Sequence, residues 1–102
     1  MRKTGRLSEV QLLAEAETTA AEALRYLAED QRRIAAFLSE SGLQPATLVA
    51  AVGSRDTLAA ILDHVTRDES LLLAFTADTG RRPEDVMAAM QLLSGPLPEA
   101  SP

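Results

Sequence analysis

A recurrence most limits what this chain can fold into. Shifted by 38 residues, its helix punctuation falls on itself without a gap: Asp30 on Asp68, Phe37 on Phe75, Gly42 on Gly80 and Pro45 on Pro83. The shared pattern is D-x6-F-x4-G-x2-P, and each of its members has a separate physical reason. An aspartate before a helix accepts from amides that have no partner inside it. The phenylalanine supplies core volume. A glycine takes the left-handed conformation that ends a helix, and a proline opens the next, where it has no needed amide to lose. Over the 28 positions from Leu24 to Ala51 eight are identical, adding Leu24/Leu62, Ala36/Ala74, Ala50/Ala88 and Ala51/Ala89. Leu27/Val65, Ile34/Leu72 and Leu48/Val86 stay apolar. The recurrence predicts an internal duplication: two related three-helix units, about 8–52 and 54–94, packed face to face around one core in a compact all-α bundle of about six helices.

The rest of the chain fits helices at those places. Ser8 and Gln11 form a candidate capping box, and Val10, Leu13, Ala14, Ala20, Ala21, Leu24 and Leu27 recur at helical spacing. Thr18 and Thr19 form a β-branched pair, and Thr19 with Glu22 is a second candidate capping box. The first helix therefore either runs from about Glu9 or restarts near Ala20. Asp30 caps a helix over Gln31–Ser41, which Gly42 ends, with Leu43 folding back on Leu38 as in a Schellman motif. Pro45 opens a helix to about Val52. Ser54 caps one carrying Leu58, Ile61, Leu62 and Val65. Asp68 caps one that Gly80 ends after Thr79, and Pro83 opens the last. Met1–Leu7 is expected to be a disordered basic arm, and residues 95–102 a proline-rich tail.

Composition narrows the function classes. Hydrophobic residues make up 46% and aromatics 3%, so the core must come from Leu, Val, Ile, Ala and Met. With no cysteine there is no disulfide, thiolate metal site or cysteine nucleophile. No apolar run approaches the roughly 20 residues of a membrane span, and the basic N-terminus has no apolar stretch behind it to make a signal peptide. A cytoplasmic, membrane-free protein is the expectation. The formal net charge of −5 argues against broad affinity for phosphate backbones.

Three candidate sites can be weighed. The only histidine lies in DHVTRDES, where His64 and Asp68 are four apart. Asp68, however, caps the next helix, which breaks the shared face, and one histidine without cysteine is a poor zinc set. His64 recurs on Tyr26 and is expected to be a half-buried amphipathic ring. No nucleophile elbow or phosphate-cradling glycine loop is present. The expectation is therefore no catalytic residue, no metal and no cofactor. Second, AAFLSESGLQPATLVAAV has the outline of a helix-turn-helix, but PATLVAAV offers one threonine and no Arg, Lys, Asn or Gln to read a base. Its duplicate PEDVMAAM begins with two acids, although Arg32, Arg33, Arg81 and Arg82 could form a basic patch. Third, Leu71, Leu72 and Leu73 cover about 200° of a helix, too wide for one packed face. Either that helix is covered on two sides, for instance by the long first helix, or Leu71 and Leu73 meet a partner.

YLAEDQRRIAAFLSESGL, LAAILDHVTRDESLLLAF and GRRPEDV resemble a family of small alphaproteobacterial proteins known only as a domain of unknown function. The resemblance covers roughly Ala20 to Leu93 and rests on helix boundaries. It implies a small helical fold in a bacterial cytoplasm and brings no activity, cofactor or catalytic residue with it. The functional expectation is a non-enzymatic helical domain acting through protein–protein contact or as a homodimer, the alternative being a helix-turn-helix-like nucleic-acid binder.

Overall fold

The computed structural model describes residues 8–51 and 53–95. Among them are six helices and no strand: α1 (Glu9–Ala28), α2 (Gln31–Ser41), α3 (Pro45–Ala51), α4 (Arg55–Arg67), α5 (Glu69–Thr79) and α6 (Pro83–Ser94). The expected basic arm, Val52 and all but the first residue of the expected tail lie outside the described residues.

The capping box at Ser8 forms. The Ser8 hydroxyl accepts from the Gln11 amide at 3.1 Å, and the Ser8 amide donates to Gln11 Oε1 at 3.0 Å. Of the two courses open to the first helix, the structure takes the continuous one. Thr18 and Thr19 do not interrupt it, because their hydroxyls donate back to the carbonyls of Ala14 (3.0 Å) and Glu15 (2.9 Å). A threonine in a helix can satisfy its hydroxyl this way without breaking the backbone bonds.

Asp30 caps α2 by accepting from the amides of Arg32 and Arg33 at 2.8 and 3.1 Å, and Asp68 caps α5 through the Leu71 amide at 3.1 Å. Gly42 and Gly80 hold φ of 76° and 80°, the left-handed region their helix ends require. The turns beyond them differ from the expected Schellman form. Gly42 N donates to Leu38 O at 2.9 Å, but the next amide, Leu43, donates to the Ser41 hydroxyl at 3.2 Å. The second turn repeats this: Gly80 N reaches Thr76 O at 2.8 Å, and the Arg81 amide points to the Thr79 hydroxyl at 3.4 Å. A serine or threonine before the glycine supplies an acceptor closer than the distant carbonyl.

The core is built on α1, α4 and α6. α6 packs against both α1 and α4, α2 lies chiefly on α1, and α5 lies chiefly on α4. α1 contributes a small-residue stripe, Ala16, Ala20 and Ala23, all buried, which lets its neighbours come close. Leu27, Ile61, Leu62, Val65, Phe37, Phe75 and Val86 fill the centre with 0–1% exposure. Two ring contacts cross the halves. Tyr26 lies against Phe75 (centroids 5.6 Å, 57°), and His64 meets Phe37 edge-on (5.3 Å, 70°). Adding 38 to Tyr26 and subtracting 38 from Phe75 turns the first pair into the second.

The helices share one core in a compact bundle, as expected, but the third helices of the two units take unlike places in it. α6 is wedged between α1 and α4, whereas α3 sits at the edge and is anchored by Leu48 at 7% exposure. Length is the reason. α3 has seven residues before the chain turns at Gly53, and α6 has twelve, whose last turn buries Leu93 at 2%. Arg55, the first residue of α4, secures that turn by donating to the carbonyls of Leu92 (2.6 Å) and Leu93 (3.1 Å). A guanidinium there meets carbonyls left unpaired at a helix end and the negative end of the helix dipole.

Candidate functional site

The joint that drew attention in the sequence is an ordered contact between α2 and α4. His64 has a side chain only 11% exposed, set edge-on to Phe37 and hydrogen-bonded through Nδ1 to Glu40 Oε1 at 3.0 Å. Asp63, at the same pocket, pairs with Arg67, one turn along the same helix. Asp68 is at once the C-terminal cap of α4 and the N-terminal cap of α5. The structure thus keeps Asp63 and His64 at one shallow pocket with Ser41 and Arg67, draws Asp68 off to cap α5, and joins His64 to Glu40, 24 residues away. The ring packing follows from the recurrence on Tyr26, but no local signal pointed to Glu40. Among the described residues no group of three or more His, Cys, Asp or Glu side chains comes together in a way that could hold a metal ion.

Three of the four arginines of the conceivable basic patch are already engaged. Arg33 lies over the Tyr26 ring at 3.9 Å from its centroid and donates to the Tyr26 carbonyl at 2.8 Å. Arg81 is bound to Glu22 at 2.8 Å and Arg82 to Asp85 at 3.2 Å. The hydrogen bond from Arg81 holds the Glu22 carboxyl below its ordinary value, and Arg82 does the same for Asp85. Asp30 is also lowered, by the amides of Arg33 and Arg32 that it caps.

The three leucines divide. Leu72 is buried, Leu71 is partly buried against the core, and Leu73 is 49% exposed. Neither of the two readings of α5 holds whole: it packs against α4 and α6, yet part of it is exposed. α1 reaches α5 where Tyr26 touches Phe75, but Leu73, Ala74 and Ala77 stay in solvent. Leu71 is thereby half core, and of the proposed partner pair only Leu73 stands free.

A feature that sequence reading missed lies between α1 and α6. Glu22 beside Arg81 and Leu12 beside Leu92 show that the two helices run in opposite directions. They leave an open cleft of about 260 Å³ lined by Leu12, Ala16, Ala88, Ala89 and Leu92, with Glu15, Arg81 and Asp85 at its rim. Ala16 and Ala89 form a buried floor, whereas Leu12 is 38% exposed. The i, i+4 spacing of Leu12 with Ala16 and of Ala88 with Leu92 was visible in the sequence. What the sequence could not show was that these two apolar strips face each other.

These features define a small all-α bundle whose surface offers an apolar cleft between α1 and α6 and a smaller, polar pocket at the α2–α4 contact. The chain belongs to the DUF3572 family, described as a protein of unknown function, whose family model matches residues 13–96. No curated protein and no solved structure matches it significantly.

Proposed function

We propose that this domain works by contact with another protein, through the cleft between α1 and α6, and that it carries out no catalysis of its own. The observation that carries the reading is the cleft itself: apolar side chains from two helices arranged around open space instead of closing on each other. Grooves of this kind between helices accept a further helix with little rearrangement. Leu73 is a smaller second contact. The resemblance to small alphaproteobacterial proteins supports a bacterial cytoplasm as the setting.

The test is a photo-crosslinking amino acid placed at Ala88, beside the cleft, and separately at Asp78, on exposed α5 away from it. In native cells the Ala88 variant is expected to yield a discrete adduct that the Asp78 variant lacks. The same adducts from both positions, or none from either, end the reading.

The α2–Gly42–α3 outline favours a second reading, a helix-turn-helix-like nucleic-acid binder. Against it, the outward residues of α3 are Pro45, Ala46, Thr47, Val49 and Ala50, with no charge and no amide side chain. Binding to duplex DNA that weakens steeply with salt would support this second reading. No binding at low salt would remove it.

A further inference from the structure

We infer that the occupant of the α1–α6 cleft is a basic amphipathic helix of a partner protein, its apolar stripe on Leu12, Ala88 and Leu92 and a cation against Glu15. The inference rests on the contact reading above and adds the chemistry of the partner.

Charge sets the choice. From Glu9 to Leu24 α1 carries four glutamates, Glu9, Glu15, Glu17 and Glu22, and no basic residue. On α6, Asp85 is already paired with Arg82 at 3.2 Å, and Glu84 forms no ion pair among the described residues. The one cation at the rim, Arg81, is committed to Glu22 at 2.8 Å and is only 21% exposed. Glu15 and Glu17 form no ion pair among the described residues. An apolar floor beside an unpaired carboxylate, with the nearby arginines already paired, attracts a partner of the opposite sign and repels an acidic one.

Shape points to a helix. The two sides of the cleft present apolar residues four apart, Leu12 with Ala16 and Ala88 with Leu92, the ridge spacing into which a third helix packs. Alanines at the floor allow a close approach, and the leucines at the edge offer area to cover. A peptide with apolar residues at three- and four-residue spacing flanked by lysines matches both features.

The test uses the full chain labelled with ¹⁵N and a synthetic two-heptad helix of leucine and lysine, with its leucine–glutamate counterpart as comparison. The lysine peptide is expected to shift the amide signals of Leu12, Ala16, Ala88 and Leu92, with affinity falling as salt rises. Ala88→Arg, at an exposed position, is expected to abolish binding, and Glu15→Lys to weaken it by about tenfold. Asp78→Lys changes net charge by the same amount away from the cleft and is expected to leave affinity within about twofold. Equal binding of the glutamate peptide, or equal loss in Asp78→Lys and Glu15→Lys, overturns the basic-partner inference. The contact reading stands or falls separately, on the Ala88 crosslink. If deleting residues 1–7 moves the same amide signals with no peptide present, the occupant is the chain's own basic arm and the inference is overturned. It is equally overturned if sedimentation shows a dimer that Ala88→Arg dissolves, because the occupant is then a second copy.

Discussion

The first half of the chain, α1 to α3, and the second, α4 to α6, match in the bounds and caps of their middle helix, though few of its residues are identical, and part company at the third. α2 and α5 occupy positions 31–41 and 69–79, each opened by an aspartate and closed by a glycine with φ near 80°. Their phenylalanines are both buried, and each meets the ring that the other half supplies from its first helix. The third helices then diverge, because Gly53 and Ser54 follow α3 where Gln91 and Leu92 continue α6. One extra turn turns an edge helix into the wedge of the core. The comparison teaches that punctuation can recur while packing does not.

The largest effect expected to test the comparison is at the rings. Phe37→Ala and Phe75→Ala should each cost about 3–5 kcal/mol, since both side chains are fully buried. Urea denaturation should place the two within about 1 kcal/mol of each other. A much cheaper Phe37→Ala would show that the edge position of α3 loosens the whole first half. Smaller, and again paired, is the loss at the turns. Gly42→Ala and Gly80→Ala each force a side chain into the left-handed region, at a cost of about 1–2 kcal/mol, with no neighbouring atom within 4 Å to add a clash. Thermal melts should show nearly equal drops, and unequal ones would mean that the turns only look alike.

A third prediction sharpens the difference between the halves. Glu22 and Arg81 tie α1 to the start of α6, and the matching positions, Ala60 and Leu43, carry no charge. The folded Glu22 carboxyl lies below its ordinary value of 4.5, so its ion pair adds stability above that pH and loses it as pH falls through the lowered value. The pair is partly exposed, so the contribution at neutral pH should be about 1 kcal/mol or less. Glu22→Gln should therefore be less stable than the wild type at pH 7 and equal to it in strong acid. A gap that persists in acid would mean that the carboxylate charge is not what matters. Smallest of all, Leu73→Lys should change stability by no more than about 0.5 kcal/mol, since Leu73 is half in solvent where its counterpart Ala35 is exposed too. A larger loss in chemical denaturation would place Leu73 in the core and end its candidacy as a contact.

Much of the fold was legible because it is local. A cap, a left-handed glycine and a proline at a first turn act within four residues, so Asp30, Asp68, Gly42, Gly80, Pro45 and Pro83 mark helix limits that the structure reproduces. The continuity of α1 was open because a β-branched pair weakens a helix by an amount comparable to what a neighbouring helix restores. The candidate site was legible in pieces only. His64 could be read as a packing ring from Tyr26, but Leu71 and Leu73 could not be told apart, since both lie on one wide apolar arc whose cover is decided elsewhere.

The sequence by itself determined about six helices, their ends apart from the start of the first, and the recurrence of caps, because those rest on backbone amides and carbonyls within a turn or two. Only the tertiary structure decided which helices meet: α6 between α1 and α4, Glu40 on His64, Arg81 on Glu22 across 59 residues, and the apolar strips of α1 and α6 facing each other across a cleft. Those pairings depend on how whole helix faces share one core. Helical periodicity identifies each face but carries no mark of the face it will meet.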